Sequence, residues 1–261
     1  MISIDLSGKT ALIAGVQNEH SLGWPVAQRL MEAGARCAFS FQGERNRATL
    51  ERLTGDYENA AFIEVCDVTS DEDLERLFAR LANEFGHLDY VLHAIGFAPP
   101  AAMQNPFLQT TREDWKTALD VSAYSLVALA QRAAPLMGEG GSIVCLTYYA
   151  SEKVVGKYNV MGVAKAALES ATRYLAFDLG AVGVRVNAVS PGPMRTVAAR
   201  AIPGFNLMID RAARVAPLGR NAAHLEVANA CLWLFSDLST ATTGEVVYVD
   251  GGYNIMGMAL E

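Results

Sequence analysis

Charge is scarce in this chain. Only 19% of its 261 residues are Asp, Glu, Lys or Arg, against 51% hydrophobic residues. That balance excludes a disordered chain, which needs low hydrophobicity and dense charge. Basic charge is scarcer still: 21 Lys and Arg face 28 Asp and Glu, for a net charge of −7. With no Lys/Arg run, the sequence lacks the basic surface that tracks phosphates, so nucleic-acid binding is not expected. No apolar stretch reaches the ~18–20 residues that span a bilayer, and no membrane insertion is expected. Cysteine is limited to Cys37, Cys66, Cys145 and Cys231, without a C-x-x-C pair. Lying in apolar strand-like or helical runs, they read as buried free thiols. The four histidines show no ligand spacing, so no metal is expected. No basic region followed by an apolar one marks a secretory signal near the start, and the expected location is the reducing cytoplasm.

What the chain does have is alternation. Short β-branched or apolar runs at 10–14, 36–41, 61–65, 90–94, 142–146, 185–189 and 246–249 read as strands. Helical patterns at 24–33, 45–53, 71–85, 112–137, 158–179 and 225–235 separate them. The strand runs are nearly continuous in apolar residues, as expected when helices cover both faces. Right-handed βαβ units then build an α/β, Rossmann-type, doubly wound parallel sheet of about seven strands. No repeat or linker divides the chain, so one domain over 1–261 is expected. Residues 192–217 break the rhythm with prolines, Gly204 and apolar residues, and read as a substrate-binding flap.

The loop after the first strand carries Gly15, Ser21, Leu22 and Gly23 and leads into a helix. Backbone N–H groups and a helix N-terminus at that place suit a pyrophosphate, although the spacing is not G-x-G-x-x-G and turn chemistry alone would also use two glycines. At the end of the second strand, neutral Gln42 favours NADH, while Arg45 and Arg47 keep NADPH open. Asp67, followed by Val68, has the place to bond an adenine edge or to cap the next turn. Ile95 and Gly96 follow the fourth strand at the same sheet edge. Tyr158 and Lys165 are two helical turns apart, within ~20° of one face. A lysine there can hold a ribose and favour the phenolate of the tyrosine, strengthening the phenol as a donor.

Several stretches are more specific. They are the stretched Gly15…Ser21-Leu22-Gly23 loop, His93-Ala94-Ile95-Gly96-Phe97-Ala98-Pro99, Tyr158-Asn159-Val160-Met161-Gly162-Val163-Ala164-Lys165, and the segment from Arg185 to Thr196. With these the chain resembles the short-chain dehydrogenase/reductase superfamily over its whole length, and within it the enoyl-acyl carrier protein reductases of bacterial fatty-acid synthesis. The discriminating feature is Tyr-x6-Lys with an upstream tyrosine, matched by Tyr148, where ordinary members carry Tyr-x-x-x-Lys and a serine. The resemblance implies NADH-dependent reduction of the trans-2 double bond of an enoyl thioester. Tyr158 would stabilise charge on the thioester oxygen, Lys165 would bind the nicotinamide ribose, and Tyr148 would shape the site or assist the proton step. It further implies cofactor contacts from Met194, Thr196 and Ala198. Ala98 would sit beside the thioester, and Met161, Ile202, Phe205 and Met208 would form an apolar acyl slot. An acidic carrier protein would meet Arg195 and Arg200, and the assembly would be a homotetramer. A 3-oxoacyl or carbonyl reductase of the same superfamily, or a non-catalytic dinucleotide sensor, are the rival readings.

Overall fold

A computed structural model describes residues 3–138, 140–196 and 204–258. The expected sites Ala198, Arg200 and Ile202 lie outside the described residues. Seven parallel strands form one sheet in the order β3-β2-β1-β4-β5-β6-β7. They are β1 (Thr10–Ala14), β2 (Arg36–Phe41), β3 (Ala60–Val65), β4 (Tyr90–His93), β5 (Gly141–Leu146), β6 (Val184–Pro191) and β7 (Val246–Val249). The expected α/β doubly wound architecture is therefore observed. The chain steps outward from β1 to β3 and then returns to place β4 on the other side of β1. Crevices at such a reversal, outside the carboxyl ends of the strands, are where ligands bind in open α/β sheets.

Why the strands are apolar without a break follows from the period of two. Neighbouring residues face opposite sides, and each side has its own core. Ile13, Phe39, Leu92 and Val144 enter one core with α1 (Gly23–Glu32) and α9 (His224–Phe235). Leu12, Ala38, Val91 and Ile143 enter the other with α3 (Asp71–Phe85), α6 (Ser125–Met137) and α7 (Val160–Gly180). All four cysteines are buried and free. Local chemistry sets the helix ends: Ser70 Oγ accepts from Asp73 N at 3.2 Å ahead of an acidic first turn, and Gly86 closes α3 at φ +69°.

Four elements differ from the sequence expectation. The helix expected at 45–53 begins only at Arg47, after a tighter turn over Glu44–Asn46. The single helix expected over 112–137 is two, α5 (Arg112–Leu119) and α6, joined by a widened π turn at Asp120–Tyr124. Within that turn the Ser122 hydroxyl accepts from Phe97 N at 2.9 Å and donates to Phe97 O at 3.0 Å, so the ladder opens where it meets the loop after β4. The flap is not all loop, because α8 (Phe205–Val215) follows a left-handed Gly204 at φ +76°.

Most consequentially, Tyr158 is not helical. Helix α7 starts at Val160 because Lys157 and Asn159 take φ +69° and +45°. Asn tolerates that region better than most residues. Its side chain Nδ2 donates toward the carbonyls of Ala102, Met103 and Asn105 at 3.1, 3.3 and 2.8 Å, at the end of α4 (Pro100–Gln104). Tyr158 is thus placed by a pinned turn rather than by two helical turns shared with Lys165. Asn159→Ala removes these bonds and keeps the strained backbone. It is expected to lower the unfolding free energy by about 1–3 kcal/mol in urea titration, whereas an unchanged midpoint would contradict the pinning role.

Candidate active site

The carboxyl edge of β1, β4, β5 and β6 collects nearly every described residue singled out in the sequence. Gly15 follows β1 at φ +105°, where its N–H donates to Ser40 O at 3.0 Å. A Cβ there would lie 2.5 Å from the Ala94 carbonyl oxygen, so only glycine lets the β1 and β4 exits approach. The loop winds around Ser21, whose Oγ accepts from Gln17 N at 3.0 Å and Asn18 N at 3.2 Å. Leu22 then leads into α1 and packs against the core. These residues form a compact turn before a helix N-terminus, a shape that suits a dinucleotide phosphate.

At the adjoining edge, Gln42 Nε2 donates to Asp67 Oδ2 at 3.2 Å, and Asp67 Oδ1 accepts from Thr69 N and Oγ1. Asp67 therefore holds its own turn as well as facing Gln42, and the Thr69 and Gln42 bonds keep its carboxyl below the ordinary range despite partial burial. Val68 packs into the core beneath. Arg47 is committed elsewhere, in a paired contact with Glu44 and over the Phe41 ring.

The chemical end is built on a buried lysine. Lys165 Nζ donates to Leu146 O at 2.8 Å, at the tip of β5, and to Ile95 O at 3.5 Å, beyond β4. Gly96 leaves room over the ammonium, since a Cβ there would sit 3.4 Å from Nζ and from Met161 Cε. Burial pushes Lys165 down to about 8, opposed by attraction to Cys145 and Glu169. His93 is driven to about 3, first by burial and then by the Lys165 charge, so it is a neutral imidazole. Ser125 Oγ donates to Val121 O at 2.7 Å, which makes it the acceptor for His93 Nε2 at 2.7 Å and leaves Nδ1 unprotonated.

Tyr148 and Tyr158 stack at an angle, with ring centroids 4.9 Å apart. Burial pushes both phenols up, Tyr148 with help from Tyr253 and Tyr158 with help from Tyr148. The sequence expectation that Lys165 favours a phenolate is corrected here. Burial, with Tyr148, holds the Tyr158 phenol up, and both tyrosines are neutral donors. The Tyr148 hydroxyl lies 3.7 Å from Met208 Sδ on α8.

Beside this pair, Met103 and Met161 form a small apolar cluster with Ala98, Tyr158 and Phe205. Two of the expected slot residues, Met161 and Phe205, thus meet around Tyr158, while Met208 on α8 lies against Tyr148. Met103 was not legible as a site residue, because a methionine in a short helix reads as core. Met194 is buried in the core behind β6. Thr196 and Arg195 line a cavity of about 650 Å³ with His20, Phe205, Leu207 and His224, which joins the loop after β1 to the start of α8. Among the described residues no group of His, Cys, Asp and Glu could hold a metal.

Comparison with known proteins points in one direction. The family described as enoyl-(acyl carrier protein) reductase matches residues 15–254. An NADH enoyl-acyl-carrier-protein reductase of Rhizobium meliloti strain 1021 is 44% identical over 254 residues, spanning 97% of this chain and 93% of that protein. Among solved structures, the Bacillus cereus enoyl-acyl carrier protein reductase with NADP+ and indole naphthyridinone superposes with a TM-score of 0.95 at 42% identity, over 97% of this chain and 100% of that one. The reductase of Anaplasma phagocytophilum in complex with NAD gives 0.91 at 39% identity, over 97% and 94%.

Gly15→Ala tests the close approach that shapes the crevice. Both the left-handed backbone and the collision with Ala94 oppose a side chain, so a loss of about 2–4 kcal/mol in thermal or denaturant unfolding is expected. Wild-type stability in that variant would contradict it.

Proposed function

The chain belongs to the enoyl-(acyl carrier protein) reductase family, and from that premise we propose how its residues carry out the reaction. The enzyme is an NADH-dependent oxidoreductase that reduces the trans-2 double bond of enoyl thioesters in fatty-acid elongation. When bound, NADH supplies the hydride for the β-carbon of the substrate. The turn around Ser21, the glycine at 15 and the buried Lys165 fit such a dinucleotide. They put a compact turn before a helix N-terminus, an unobstructed crevice and a cation along one sheet edge. Gln42, neutral and already facing Asp67, would receive the ribose hydroxyls, with Val68, Ile95, Gly96, Met194 and Thr196 along the same edge.

The single observation that carries the catalytic assignment is the neutral, partly buried phenol of Tyr158 against the Met103–Met161–Phe205 cluster. A thioester with its acyl chain in that cluster brings its carbonyl oxygen to the phenol. Tyr158 donates to that oxygen and stabilises the negative charge that develops as the double bond is reduced. Partial burial strengthens this bond because the local dielectric is lower than in water. Lys165 would orient the ribose of the bound cofactor, Tyr148 walls the site and fixes the Tyr158 ring, and Ala98 keeps the approach to the thioester clear. Arg195, exposed beside Asn206, offers a positive contact for an acidic carrier protein. Exposed aromatic residues at Trp115 on α5, Tyr124, and Tyr174 and Phe177 on α7 support self-association as a homotetramer. Among the described residues no helix is long and apolar enough to cross a membrane.

Tyr158→Phe is expected to lower kcat by about 10²–10³-fold while NADH affinity stays at the wild-type value. Full activity in that variant would remove Tyr158 from the oxyanion role. Wild-type enzyme should oxidise NADH with a crotonyl thioester and not with an acetoacetyl thioester. The opposite preference would assign the fold to carbonyl reduction instead, and turnover of neither would favour a binding protein.

A further inference from the structure

One buried carboxylate beside the site has no part in the mechanism above. Glu169 is 6% exposed on α7, one turn beyond Lys165, in a helix whose other buried positions are mostly apolar. Residues four apart lie on the same helical face, with Cβ atoms ~5–6 Å apart. Its Oε1 accepts from Thr147 Oγ1 at 2.6 Å. Thr147 is itself buried and anchored, its N–H donating to Val189 O at 2.9 Å, and it lies between the Leu146 carbonyl that receives Lys165 and the ring of Tyr148. A buried carboxylate is costly unless it is paired, and its hydroxyl partner carries no charge.

We propose that Glu169 is a positioning residue for the cofactor-binding lysine, a buried counter-charge that, anchored on Thr147, keeps the Lys165 ammonium protonated and aimed at the β4–β5 edge. The inference rests on the reading of Lys165 as the lysine that holds NADH. Besides Glu169, the titratable groups facing Lys165 are Cys145 on β5 and His93 on β4, while Tyr248 on β7 faces Glu169. His93 is neutral and Cys145 is driven up to about 11 by burial, so neither supplies a counter-charge to Lys165 near neutral pH. Tyr248, bonded to Glu152 at 2.6 Å, is pushed up and also uncharged there. Cys145 and then Glu169 raise the proton affinity of Lys165 against the burial that lowers it to about 8. The cation is present below that pH and lost above it. Removing the carboxylate charge moves the loss to lower pH.

The experiment compares wild type with Glu169→Gln, which keeps an acceptor for Thr147 but no charge, by measuring NADH dissociation constants between pH 6 and 9. Wild-type affinity should fall on an alkaline limb near pH 8. In Glu169→Gln that limb should lie about one pH unit lower, with affinity close to wild type at the acid end. A purely structural role would lower the melting temperature and leave the limb in place, which would overturn the inference. Melting temperatures of Lys165→Met with and without Glu169→Gln give a second reading. If the charges are partners, the double variant melts above Lys165→Met alone, because no buried carboxylate is left unpaired. Additive losses would contradict the pairing. If Glu169→Gln lacks a cooperative transition, a double variant that regains one supports the inference, and one that does not overturns it. Wild-type enzyme that neither binds NADH nor turns over a crotonyl thioester would instead overturn the underlying site reading.

Discussion

A lysine ammonium held out of water governs the rest of this molecule. Lys165 reaches the carbonyls of Leu146 and Ile95, and these belong to the exits of neighbouring strands β5 and β4. One side chain thereby ties together the two strand ends that flank the crevice. A buried cation needs several acceptors and surroundings free of competing positive charge. Its neighbours comply: His93 is held neutral with its Nε2 proton committed to Ser125, and both active-site phenols stay uncharged. The tyrosines can serve as strong donors because they remain protonated at every pH at which the lysine is a cation.

Departures from regular structure gather around this centre. The π turn at Asp120–Tyr124 lets Ser122 bind both backbone groups of Phe97, in the loop that carries Gly96 and Ala98. The left-handed Asn159 ends the approach to α7 and faces Tyr158 toward Tyr148. Gly15 brings the β1 exit against Ala94. Each breaks a local rule of its element, and each is held by specific hydrogen bonds or close contacts from the adjoining elements, as expected where function and local preference conflict.

Much of this was legible beforehand, and for identifiable reasons. The seven strands are apolar on both faces, so composition and length located them, and the alternation with helices determined a parallel sheet. The thiols at 37, 66, 145 and 231 followed from their apolar settings. What escaped reading depends on contacts distant in sequence. Nothing in the helical periodicity of 112–137 records that Ser122 meets Phe97. Asn159 takes its backbone angle from carbonyls more than fifty residues earlier. Helix α8 leaves Leu207 exposed, so its pattern did not separate it from a loop. The spacing of Tyr158 and Lys165 suggested two shared helical turns, a geometry the chain does not use. Glu169, four residues beyond Lys165 in an apolar helix, was a readable signal, and only its bond to Thr147 gives it meaning.

The buried cation is tested most directly by the NADH dissociation constant of Lys165→Met, measured at pH 7 alongside circular dichroism to establish the fold. Loss of charged hydrogen bonds to the cofactor should weaken binding by about 10–100-fold with the secondary structure retained. Wild-type affinity in a folded Lys165→Met enzyme would contradict the account, since the site would then be organised without its lysine.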